Sequence, residues 1–251
     1  MKNYMKETKI EMSLGGQTVH RVKDGFKIRR KSPIDGERMR NDPKFVPVLQ
    51  NASDFTTAAN AGRVLREALN SAIANTKDPR CSNRLMSLMR RVLKSDMQNL
   101  RGQRSVLNGD LEMLNSFQFN ADSPLYTAIL APYVAVIDRA SGEAKVTIAP
   151  YKPAIAIIGP PGATHYVLQV AATALDFETG KATTALYETQ PLARDVIETE
   201  QQTLMAQLPA NSDQPLFLVF GVQFVSLDNG VYYPVGGNGY NSMAIVDVDK
   251  G

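Results

Sequence analysis

The hydrophobic period of this chain changes once, and that change limits what it can fold into. From about residue 53 to residue 117 the apolar residues recur at helical spacing. Beyond the polar stretch Asn-Ala-Asp-Ser-Pro at 120–124 they alternate, with the period of strands. A run of helices followed by a run of strands predicts an α+β protein whose sheets are antiparallel.

In the helical part, Phe55, Ala58, Ala59, Gly62, Leu65, Leu69, Ala72 and Ile73 share one stripe, and Ser53 or Asp54 supplies the expected cap. Gly62 lies within that stripe, which predicts a close backbone approach by a neighbour. Arg63 and Glu67 form an i,i+4 pair on the other side. A second helix over about 82–96 is sharply amphipathic. Leu85, Met86, Leu88, Met89, Val92 and Leu93 fill one arc, and Arg84, Arg90, Arg91 and Lys94 fill the opposite one. A third short helix in "NGDLEMLNSF" would pack Leu111, Leu114 and Phe117 on the first two.

In the alternating part, "YVAVID", "AKVTIAP", "PAIAII", "THYVLQVAATALDF", "ATTALYE", "LFLVFGVQFVSL", "VYYPV" and "SMAIVDV" read as strands. "LFLVFGVQFVSL" is the most apolar and should be central. "DNG" at 228–230 is a strong hairpin turn. Tyr166, Leu168 and Val170 share a parity that Leu175 and Phe177 break, so a bulge is expected near Ala172–Ala174. Seven or eight such strands predict an antiparallel, immunoglobulin-like β-sandwich over 125–251. Before the helices, residues 9–31 also alternate and read as a hairpin turning at Asp24-Gly25. The expected divisions are 1–50, hairpin and basic strap; 51–120, helical subdomain; and 125–251, sandwich.

Charge is distributed as unevenly as hydrophobic period. Residues 1–104 carry 22 Lys and Arg against 10 Asp and Glu, and residues 105–251 carry 6 against 15, although the net charge is only +3. Two solvated surfaces of different sign would be the plain reading. The sharper one is a basic half that meets acidic partners, among them the other half of a neighbouring copy. The strap at 28–51 is basic and rich in turn residues. Ser32-Pro33, Asp35-Gly36, Asp42-Pro43 and Pro47 each argue against a continuous helix or strand there.

Several stretches resemble an uncharacterised family associated with Bacteroidota. They are "RRKSPIDGERMRNDPKF", "NASDFTTAANAGRVLREAL", "NRLMSLMRRVLKSD", "RGQRSVLNGDLEMLNSFQFN", "PPGATHYVLQVAATALDFE" and "PLFLVFGVQFVSLDNGVYYPV". Asp54-Phe55, Gly62, Leu65-Arg66, Arg101–Arg104 and Phe117–Asn120 occupy the places of that family's motifs. The resemblance implies a hairpin, strap, helices and β part. It implies no activity.

Motifs for chemistry are sparse. The two histidines, His20 and His165, have no metal-ligand spacing, and no metal or cofactor is expected. Cys81, the single cysteine, stands among basic residues that could lower its pKa, or it is simply a helix-start cysteine. "GGNGYN" at 236–241 joins strands and does not open a helix, so it reads as a loop and not a phosphate cradle. Asp176 and Glu178 read as solvated carboxylates. No apolar run reaches the roughly 18 residues of a membrane span. The charged start lacks the apolar core of a signal peptide, so a cytoplasmic location is the default and a surface assembly stays open.

The expectation is therefore a non-enzymatic structural protein that assembles head to tail with copies of itself, as a filament, tube or lattice subunit. Its assembly or anion-binding residues would be Arg29, Arg30, Lys31, Arg38, Arg40, Arg84, Arg91, Lys94, Arg101 and Arg104. Arginines offer bidentate geometry to carboxylate or phosphate, so nucleic acid is the alternative partner. The strap holds few aromatics for stacking on single strands. A glycan-binding sandwich, by fold analogy alone, is the third reading.

Overall fold

The alternation near the start becomes three strands, β1 (Met12–Leu14), β2 (Gln17–Val22) and β3 (Gly25–Arg30), paired antiparallel in that order. The computed structural model describes residues 12–14, 17–22, 25–30, 36–76 and 78–251. Val22 stands opposite Gly25, so two residues, 23 and 24, link β2 and β3; they lie outside the described residues.

The strap is more ordered than its turn residues suggest. Helix α1 (Gly36–Asn41) is followed by a 3₁₀ turn at Pro43–Phe45 and then by the long α2 (Val46–Ala68). Asp42 and Pro43 start a helix here instead of blocking one. The Asp42 side chain accepts from the Lys44 N–H, and Pro43 follows it at a first-turn position, where no N–H partner is needed. Pro47 is the second residue of α2 for the same reason. The first long helix thus starts seven residues before Ser53, and Ser53 and Asp54 are not its caps.

After a short α3 (Asn70–Ile73), α4 (Cys81–Lys94) buries Leu85, Met89, Val92 and Leu93. A Cβ added to Gly62 would lie 3.7 Å from the Met86 backbone nitrogen, so α2 and α4 meet closely at that glycine. The expected third helix is a single 3₁₀ turn, Leu111–Leu114, which buries both end residues beside Phe117.

Beyond α5 (Leu125–Ala128) come β4 (Tyr133–Asp138) and β5 (Glu143–Ile148). "PAIAII" is not a strand. Pro153 opens a helical turn, α6 (Pro153–Ala156), and only Ile157 bridges to Ile129. Then follow β6 (His165–Leu175), β7 (Ala182–Glu188), β8 (Leu192–Ala193), β9 (Gln202–Gln207), β10 (Leu216–Asp228), β11 (Val231–Pro234) and β12 (Ser242–Asp249). Strands β11, β10, β6 and β7 run side by side in a six-stranded sheet that also holds β12 against β10 and β8 against β6. Strands β4, β5 and β9 form a three-stranded sheet. All of these pairings are antiparallel, and the protein is α+β with a β-sandwich. The β10–β11 turn is Asn229-Gly230, with φ of +48° and +80°, the left-handed pair of a tight hairpin.

The broken parity in β6 is not a bulge. Its register with β10 is continuous from Ala174 to His165, and with β7 from Leu175 to Gln169. Both faces of the large sheet are covered. Tyr166, Leu168, Val170 and Ala172 pack with Leu218, Phe220 and Val222 against Val146 and Leu204 of the small sheet. Ala171, Leu175, Phe217, Val219 and Ile245 pack against Leu65, Leu69, Met89 and Phe119. A strand buried on both sides loses its alternation. A register shift lies instead in β10, at Leu218/Val219 opposite β12.

The chain divides into two compact units, Met1–Leu49 and Gln50–Gly251. Helices and sandwich share the second core, so 51–120 and 125–251 form three layers of one unit. Arg139 ties its last strand in place. The guanidinium bonds the Asp249 carboxylate at 2.8 Å, the Asp249 and Gln214 carbonyls at 2.9 Å each, and the Ser212 carbonyl.

Candidate functional site

The ten cationic residues singled out by the sequence fall into different environments. Arg29 and Arg30 end β3, and Lys31 lies outside the described residues. Arg38 and Arg40 are exposed on α1, where Arg38 lies 3.8 Å from Asp42. Arg91 and Lys94 are exposed on the last turn of α4, and Arg101 is exposed in the turn beyond it.

Arg84 and Arg104 are half-buried and engaged by partners within the protein. Arg84 donates to the Asp78 carboxylate and, at 2.7 Å, to the Gln118 carbonyl, and it lies 5.0 Å from the Phe117 ring centroid. Burial pushes the Asp78 carboxyl up. The Arg84 hydrogen bond and the backbone N–H groups of Arg80 and Ala121 outweigh that and hold it below its ordinary value. Hydrogen bonds to charged groups are worth roughly 1.5–3 kcal/mol, so Arg84→Ala is expected to lower stability by about 2 kcal/mol. Arg91→Ala should stay within about 0.5 kcal/mol of wild type when both variants are unfolded in urea. Equal effects of the two would contradict this division.

The Arg-Gly-Gln-Arg turn is built by residues the sequence reading placed elsewhere. The Ser53 hydroxyl donates to the Gly102 carbonyl at 2.8 Å, the Gly102 N–H donates to Asp54 Oδ1 at 2.9 Å, and Arg104 lies 3.6 Å from Asp54 Oδ2. Gly102 has φ +88°, and a Cβ there would come within 2.9 Å of the Gln50 Cα, so both conformation and space require glycine. From the other side, the buried Asp96 carboxylate accepts from the N–H groups of Gln98, Asn99 and Ser105 and from the Asn99 side chain.

The Ser105 N–H and the Asn99 side chain lead in lowering the Asp96 pKa to about 2. Such a depressed carboxyl stabilises the fold fully above its unfolded value near 4, and that contribution is lost as pH falls towards 2. The stability gap between wild type and Asp96→Asn should therefore be constant above about pH 5 and shrink steadily below pH 4. A gap that grew on acidification would contradict this geometry. Asp96 had a sequence signal: it is the single acid between Arg80 and Arg104.

Of the groups weighed for chemistry, Cys81, His165 and Asp176 have neighbours within the protein, and the His20 side chain lies outside the described residues. Burial raises the Cys81 thiol pKa, with Arg84 opposing it, so its basic neighbourhood does not make it a ready thiolate. His165 Nδ1 lies 2.9 Å from the Thr164 hydroxyl, and its ring meets Tyr232 edge-on at 5.2 Å. Asp176 is occupied by its own turn, chiefly by the Thr179 hydroxyl and N–H, which hold its pKa low. It lines an open cleft of about 580 Å³ with Lys181, Thr183, Ser212 and Gln214. Among the described residues, no three His, Cys, Asp or Glu side chains converge as metal ligands, and no helix is long and apolar enough to cross a membrane.

The exposed apolar residues are a feature the sequence reading missed. Tyr126, Leu130, Ile155, Ile158, Val196 and Ile197 are each exposed, Val196 to 73%. They are brought together by backbone bonds between segments far apart in sequence. Leu130 N–H donates to the Ala156 carbonyl, Ile158 N–H to that of Ala128, and Ala154 N–H to that of Asp195. In the N-terminal unit, Phe26 and Ile28 on β3 are 65% and 62% exposed.

No family model matches the chain, and the search of curated proteins finds no relative.

Proposed function

We propose that the chain is a non-enzymatic structural subunit that associates head to tail with copies of itself through its basic N-terminal unit. One observation carries the reading. Among the residues of Met1–Leu49 whose exposure is described, none is buried. A three-stranded sheet needs an apolar face packed on something to be stable. This unit carries 12 Lys and Arg against 6 Asp and Glu, so the surface that covers it would be acidic as well as apolar. Unlike ends on one chain make a heterologous contact, which closes into a ring or continues as a filament.

Light scattering of the full chain against concentration and salt tests the reading. Association at low salt, with a rate that falls as salt rises, is the expected result. A monomer at high concentration and low salt would overturn it. Duplex DNA binding by a monomer, weakening steeply as salt rises, would instead assign the basic strap and the exposed Arg91 and Lys94 of α4 to phosphate.

A further inference from the structure

We infer that the patch of Tyr126, Leu130, Ile155, Ile158, Val196 and Ile197 is the seat for β3 of a second copy. The inference rests on the assembly reading above and specifies its acceptor surface.

The patch is a built surface. Ile129 and Ile157 bridge and are buried, which leaves Leu130 and Ile158, their neighbours in sequence, on the outside. Arg194 Nε donates to the Ile157 carbonyl at 2.9 Å and the Ile197 N–H to the Asp195 carboxylate at 3.0 Å, so the 194–197 segment is held beside α6. Six large apolar side chains exposed together on connected backbone are the mark of an interaction surface.

Its edge has the charge that chooses the occupant. Val196-Ile197-Glu198-Thr199-Glu200 places two exposed apolar residues beside two exposed carboxylates. Strand β3, Gly-Phe-Lys-Ile-Arg-Arg, places exposed Phe26 and Ile28 among Lys27, Arg29 and Arg30. The two segments match in apolar count and oppose in sign. Apolar contact would supply the affinity and charge the register.

A charge exchange between two full-length variants tests this. Lys27→Glu with Arg29→Glu inverts the donor strand, and Glu198→Lys with Glu200→Lys inverts the acceptor edge. Each variant alone should stay monomeric, by sedimentation at low salt, at concentrations where wild type associates. An equimolar mixture should associate again, because each variant's intact end then finds the other's and the inverted ends match. If wild type associates and either variant alone does so equally, or the mixture stays monomeric, the seat is overturned while the assembly reading stands. If wild type is itself monomeric, both fall. Circular dichroism should be unchanged in all cases, since Lys27, Glu198 and Glu200 are exposed.

Discussion

Removal of residues 1–44 is expected to leave a folded monomer that no longer associates at any salt concentration. The cut falls before α2 begins at Val46, so the helix that supplies Ala58, Ala61, Val64 and Leu65 to the core is retained. Among the described residues, both apolar cores are built from Gln50–Gly251. Stability should therefore be nearly unchanged, and the loss should appear only in sedimentation or light scattering. For the intact chain, raising salt should slow association more than it dissolves finished assemblies. Charge acts chiefly on encounter, and buried apolar area on release. A truncated chain that still associates would remove the N-terminal unit from the contact.

Truncation of Phe217 or Phe220 to alanine is expected to cost about 3–5 kcal/mol each. The two lie on opposite faces of β10. Phe220 packs toward the small sheet, edge-on to Tyr133 with centroids 5.0 Å apart. Phe217 packs toward the helices, edge-on to Phe177 at 6.0 Å. At roughly 2–4 °C per kcal/mol for a chain of this size, each should lower the melting temperature by about 10 °C. Because the two cores share one sheet, both variants should keep a single unfolding transition for Gln50–Gly251. Two separated transitions in Phe217→Ala, helices first, would show that the helical layer is an independent domain.

Local sequence determined a good deal of this structure. The loss of helical period near residue 120, the amphipathic arc of α4 and the Asn229-Gly230 turn each rest on neighbours within a few residues. Spacing and backbone preference act at that range. Helix starts at Asp42-Pro43 and Pro47 were equally local, but the same residues also serve turns. Their meaning depended on whether a helix followed.

What lay beyond local sequence depends on partners distant along the chain. The change of parity in β6 took its meaning from the helices of residues 46–94, which cover its second face and remove the need for a polar side. Arg84 and Arg104 look like the exposed Arg91 and Arg101 in sequence. Only folding sets Gln118 beside the first and Asp54 beside the second, 34 and 50 positions away, and so gives both cations partners within the protein. The apolar patch was unreadable for a similar reason. Tyr126, Leu130, Ile155, Ile158, Val196 and Ile197 sit in three separate short segments, around α5, around α6 and before β9, each too short to show a period. Backbone hydrogen bonds between those segments set their exposed side chains on adjoining backbone, and no single stretch of sequence records those bonds.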